Sequence, residues 1–96
     1  MRVVYHPAVQ RDVNGILRYY EGVSSNLADE FWSELRRFIE LIGENPDRSH
    51  PAERGLRRVN LRRFPYHILF RRLPMTIRII VVRHHKRHPG VGIKRR

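Results

Sequence analysis

The chain has no cysteine, which excludes disulfides and thiolate zinc sites. Acid is missing from its second half: residues 54–96 hold fourteen Arg or Lys and not one Asp or Glu. Lysine is scarce too, with only Lys86 and Lys94 among twenty cations. No apolar run approaches the ~18 residues that cross a bilayer, and the stretch Met1-Arg2-Val3-Val4-Tyr5-His6-Pro7 lacks the ~7–15-residue apolar segment of a secretory signal. The expected compartment is therefore the cytoplasm. Internal repeats and low-complexity segments are also absent.

The 96 residues with 41 % hydrophobic content suit one domain with one modest core. The expectation is a single domain over 1–96 in which 83–96 form a basic C-terminal tail. The formal charge of +11 is unevenly spread: residues 1–53 carry six Arg against all nine acids. A chain so divided attracts phosphate or an acidic protein, at a rate that falls with salt. Arginine meets either through a planar, permanently charged fork.

Residues 2–6, RVVYH, read as a short strand that Pro7 closes, and proline suits the first position of a helix. Val9, Val13, Ile16, Leu17 and Tyr20 then recur at helical spacing, with Asp12 expected in the first turn, where it suits the helix dipole. Gly22 to Asn26 break the pattern. Ser25 or Asn26 is expected to cap a second helix whose first turn carries Asp29 and Glu30 and whose stripe runs Leu27, Phe31, Leu35, Phe38, Ile39 and Ile42. Gly43 and Asn45-Pro46 end it, and a polar stretch follows. Three strands are expected at 56–61, 66–71 and 76–83, linked tightly enough to form an antiparallel meander. The fold class is then α+β, ordered β-α-α-β-β-β, with a helical hairpin on one face of a small, mainly antiparallel sheet.

Alternation places Tyr66, Ile68 and Phe70 on the helix face, together with Ile77, Ile79 and Val81. His67, Leu69, Arg71, Ile80 and Val82 fall on the other, where His67 is expected at the surface. Phe31 and Trp32 are expected to pack in the core, and His50 to lie in a surface loop. His84, His85 and His88 do not make a metal set, because Pro89 and Gly90 disfavour a helix there and no carboxylate follows. No metal and no other cofactor is expected.

The ordered set Tyr5-His6-Pro7, Tyr19-Tyr20, LADEFWSEL (27–35), Glu44-Asn45-Pro46, LRRVNLRRFPYHILFR (56–71) and IRIIVVRHHKRHPG (77–90) resembles the RelE/ParE superfamily of bacterial toxins. The stretches RFPYHILFR and HHKRHPG are similar to its ParE and plasmid-stabilisation branch, whose H-x-x-R-x-P pattern is met by His84, Arg87 and Pro89. The chain departs from that branch in carrying Val91, Gly92 and Ile93 where an aromatic residue is common. The resemblance implies a cytoplasmic toxin held in a hetero-oligomer with its antitoxin. It implies either binding of a protein target such as DNA gyrase or, as in RelE-like members, metal-independent cleavage of messenger RNA on the ribosome.

Whether the chain is an enzyme stays open at this point. Cleavage of RNA needs a base, an acid and cations around the phosphate, and the candidates are Arg58, Arg62, Arg83, His84 and His85. The tyrosine that many ribonuclease members carry at the chain end has no counterpart, and Glu53 is the only acid near. If the protein works by grip, the contact residues are Arg58, Arg62, Arg63, Arg83, His84, Lys86 and Arg87.

Overall fold

A computed structural model describes residues 1–96. Strand β1 (Arg2–Tyr5) leads into helix α1 (Ala8–Glu21), which turns back into helix α2 (Ser25–Glu44). A two-residue strand β2 (His50–Pro51), which the polar stretch 43–55 did not announce, precedes β3 (Arg57–Asn60), β4 (Tyr66–Arg72) and β5 (Thr76–His84). The sheet order is β1-β5-β4-β3-β2. Strand β1 runs parallel to β5 and every other pairing is antiparallel, so the α+β arrangement expected from the sequence is the one found.

Local chemistry sets the ends of the helices. Pro7 already has helical angles (φ −55°, ψ −31°), and the His6 ring Nδ1 accepts from Ala8 N–H at 3.0 Å, satisfying one of the donors a helix start leaves free. The second helix is capped by Ser24, whose hydroxyl accepts from Leu27 N–H at 3.4 Å, and not by Ser25 or Asn26. Neither helix has an acid in its first turn. Asp12, Asp29 and Glu30 lie just beyond, and two of them are engaged elsewhere: Asp12 by the tail and Glu30 by Arg63.

The hairpin packs Val9, Val13, Ile16 and Tyr20 of α1, with Ala28, Phe31, Leu35 and Ile42 of α2, onto Tyr66, Ile68, Phe70, Ile77, Ile79 and Val82. Tyr20, Phe31, Phe64 and Tyr66 form an aromatic nucleus with ring centroids 5.2–6.1 Å apart, mostly edge to face as ring quadrupoles prefer. Phe38 is only partly buried. Trp32, expected in the core, is 43 % exposed: it stands one residue round from Phe31, on the rim of a groove with Tyr5, Val9 and Ile39.

One irregularity reorganises the other face of the sheet. Phe70 pairs with Ile79 and Leu69 with Val81, so Ile80 is an extra residue in β5, a bulge. Beyond it the alternation slips by one: Val82 turns to the helices, while Val81 joins Ile80, Leu69 and Leu56 in a second small cluster. The strict period of two had assigned Val81 and Val82 the other way round.

Residues 85–96 close over that second cluster, with Ile93 and Ala52 packed against it. Gly92 (φ +78°) sits so near Val81 that a Cβ there would come within 2.7 Å of a valine methyl. Past the end of β1, the exposed edge of β5 is completed by side chains. Arg95 donates to Ile80 O (3.1 Å) and makes two bonds to Asp12 (2.7 and 3.0 Å), and Asp12 accepts from Val82 N–H (3.2 Å). Arg78 Nε reaches the Arg96 backbone oxygen at 2.7 Å. Of the basic tail expected over 83–96, residues 83 and 84 end β5 and the rest form a strap tied to the sheet.

Candidate functional site

The bulge puts Arg83 on the strap side, directly opposite His67 in the pairing of β4 with β5. Both are buried, at 6 % and 2 % exposure, which corrects the surface placement of His67. Burying a guanidinium is costly unless its donors are met. Here Nε donates to His67 Nε2 (2.8 Å), Nη1 to the carbonyls of Pro89 (2.7 Å) and Val91 (2.8 Å), and Nη2 reaches Glu53 at 3.4 Å. Glu53 stands on the short helical turn Glu53–Gly55.

These bonds fix the proton positions in the pair of histidines. Because His67 Nε2 accepts from Arg83, the neutral ring carries its proton on Nδ1, which donates to His85 Nδ1 at 2.9 Å. His85 must then hold its own proton on Nε2. Arg58 reinforces the arrangement: its Nε donates to Asn60 (2.8 Å) and its Nη2 approaches His85 Nδ1 at 3.4 Å. Burial first, then Arg58 and Arg83, pushes His67 down to about 4. Burial and Arg58 also lower His85. The Glu53 carboxyl is held below its usual range first by its own backbone N–H, which outweighs the opposing effect of burial, and then by Arg83 and Arg58.

His67 gives the first prediction. In the folded chain it stays neutral down to about pH 4, whereas the unfolded chain takes up that proton near 6.5. The unfolded state therefore binds more protons between those limits, and stability falls as pH drops through that window. At ~1.4 kcal/mol per pH unit, the part of that loss already present by pH 4.5 is on the order of 2–3 kcal/mol. Urea midpoints at pH 7 and pH 4.5 should show it, with a shallower dependence in His67→Gln; equal slopes for the two proteins would refute the assignment.

Arg58, Arg83 and His85 thus come together, joined by Glu53 and by Arg87, around a cavity of about 470 Å³ on the strap side. His84 does not join them. It lies edge-on to Tyr66 (5.0 Å between centroids), with its Nδ1 accepting from Lys86 N–H at 2.9 Å. Lys86 is exposed. Arg62 and Arg63 belong to the turn after β3, where both backbone N–H groups donate to Glu34 (3.0 and 2.9 Å) and Arg63 pairs with Glu30 at 3.2 Å. His50 is exposed on β2. No group of three or more His, Cys, Asp or Glu side chains is placed to hold a metal ion.

Sequence reasoning missed His67, Asp12 and Arg95 as organisers of this region. The available signal was that β4, flanked by two strands, has buried residues on both faces, so a histidine within it needs partners.

The family model described as ParE toxin of type II toxin-antitoxin system, parDE, matches residues 3–89. No curated protein matches the chain significantly. Among solved structures, the chromosomal ParDE TA system from P. aeruginosa superposes with a TM-score of 0.79 at 18 % identity, over 88 % of this chain and 95 % of that one.

Proposed function

Since the chain belongs to the ParE toxin family of type II toxin-antitoxin systems, we propose that this toxin acts by gripping a protein target, DNA gyrase above all, and that a cognate antitoxin silences it. The observation that favours grip over RNA cleavage is the state of the would-be catalytic groups. Arg83 is spent on the strap, His67 is buried and neutral, and the Nδ1 lone pair of His85 already accepts from His67. A general base needs a free lone pair within reach of its proton, and His85 offers the substrate only an N–H. Arg83 then positions the surface, and Arg58, Lys86 and Arg87 present charge to the partner on the strap side. Arg62 and Arg63 do so at the turn beside α2, and His84 at the boundary between the two. Residues 1–96 act as one domain in this reading. Both gyrase and antitoxin place the encounter in the cytoplasm, and no helix is long and apolar enough to cross a membrane.

Induced expression in a susceptible bacterium tests the proposal. The expected outcome is growth arrest with a DNA damage response while messenger RNA stays intact, relieved by co-expressing the antitoxin. Arrest with cleavage of ribosome-bound messenger RNA and no DNA damage response would reverse it in favour of the RelE-like activity.

A further inference from the structure

We infer that Arg58, Arg87 and the Nε2–H of His85 form a receptor for one phosphate group in the cavity beneath the strap, whichever macromolecule the toxin engages. The cavity holds about 470 Å³, opens to solvent and has a single hydrophobic residue in its lining. It is a polar anion site, unlike the apolar groove beside Trp32.

Three features select phosphate. The first is charge. Arg58, Arg83 and Arg87 face a single carboxylate, Glu53, and both histidines are neutral in this arrangement, so the cavity has two positive charges in excess, the charge a phosphate monoester balances near neutral pH. The second is direction. The donors come from two sides of the cavity: Arg58, whose Nη1 is left after its bonds to Asn60 and His85, from β3, and His85 and Arg87 from the turn that opens the strap. A carboxylate takes a fork in one plane, whereas the tetrahedral oxygens of phosphate accept from several sides. The third is that His85 is held as a donor. The bond from His67 Nδ1 occupies its Nδ1 and leaves its remaining N–H as the one polar atom it can offer a ligand in the cavity it lines, without the reorganisation a free imidazole would need. Glu53 belongs to the same design. Its contact to Arg83 is long, at 3.4 Å, and its side chain is 46 % exposed, so it screens Arg83 loosely when no anion is present and opposes the anion when one arrives.

Titrating the full chain with inorganic phosphate, followed by the imidazole NMR signals of His85 and His67, tests the receptor. A saturable shift at His85 is expected, weakening with salt. Arg58→Gln and Arg87→Gln should each weaken binding about tenfold, as the loss of one charge-assisted bond implies. Glu53→Gln should tighten it about threefold to tenfold by removing the like charge. All three positions are exposed or half-buried, and an unchanged thermal midpoint confirms that each variant folds.

Two single-stranded oligonucleotides of one sequence, with and without a 5′-phosphate, separate the sources of the group. Preference for the first assigns a terminal phosphate and equal binding an internal diester, and either supports the receptor. A folded wild-type protein with no saturable response to phosphate overturns it. So does a response that survives both arginine substitutions, and so does saturation by a glutamate-rich peptide but not by phosphate.

Discussion

Arg83→Met should lower the stability of the domain by about 3–5 kcal/mol, the range seen when one member of a buried charged network is removed. Methionine approximates the volume of the side chain, so the loss isolates the hydrogen bonds. Three acceptors that arginine satisfies, His67 Nε2 and the carbonyls of Pro89 and Val91, would be left without it, and each unmet buried group costs ~1–3 kcal/mol. The strap should also loosen, and fast amide exchange at Val91 and Ile93 would report it. By contrast Arg87→Ala, at an exposed site, should change stability by less than about 0.5 kcal/mol. A urea midpoint for Arg83→Met equal to that of Arg87→Ala would show that the buried guanidinium does not hold the strap.

Phe31→Ala is expected to cost about 3–5 kcal/mol, the range for a fully buried phenylalanine. Its ring is 0 % exposed and contacts Tyr20, Phe64 and Tyr66 at once, so truncation opens a cavity where α1, α2, β4 and the turn before it meet. A domain of this size holds only about 5–15 kcal/mol in total, so the variant should lose a large part of its stability and show a clearly lowered thermal midpoint. Phe38→Ala, on the same helix but only partly buried, should cost distinctly less. Equal thermal midpoints for the two variants would mean that the helix turns a different face to the sheet.

The element order and the helix-facing core were legible because each depends on local repetition: helical spacing in α1 and α2, alternation in β4, tight turns between strands. Phe31, Leu35, Ile68 and Phe70 all followed that logic into the core. What stayed hidden depends on contacts between residues far apart in the chain. Asp12 read as a helix-dipole residue because Arg95 lies 83 positions away. His67 read as surface because nothing in its neighbourhood shows that residues 85–96 return to cover it. Trp32 read as core because one position on a helix separates a buried side chain from a rim. In the candidate site, the charged residue types were visible, but not their division into arginine that builds (Arg83), arginine that faces solvent (Arg87) and arginine already occupied at the helix side (Arg63).

The extra residue at Ile80 makes the spacing of β5, and not only its composition, a carrier of information. Deleting that one apolar residue would leave hydrophobicity and charge almost unchanged, yet it would swing Arg83 toward the helices and His84 toward the strap, because a shift of one reverses every side chain beyond it. Point substitutions here are therefore milder than insertions or deletions. An ungapped comparison of two relatives, only one of which has the bulge, would equate residues that lie on opposite sides of the sheet. Diversification of this surface can then proceed by length as well as by letter: a change of one codon in the middle of a strand can exchange which side chains a partner meets while leaving the helical core as it was.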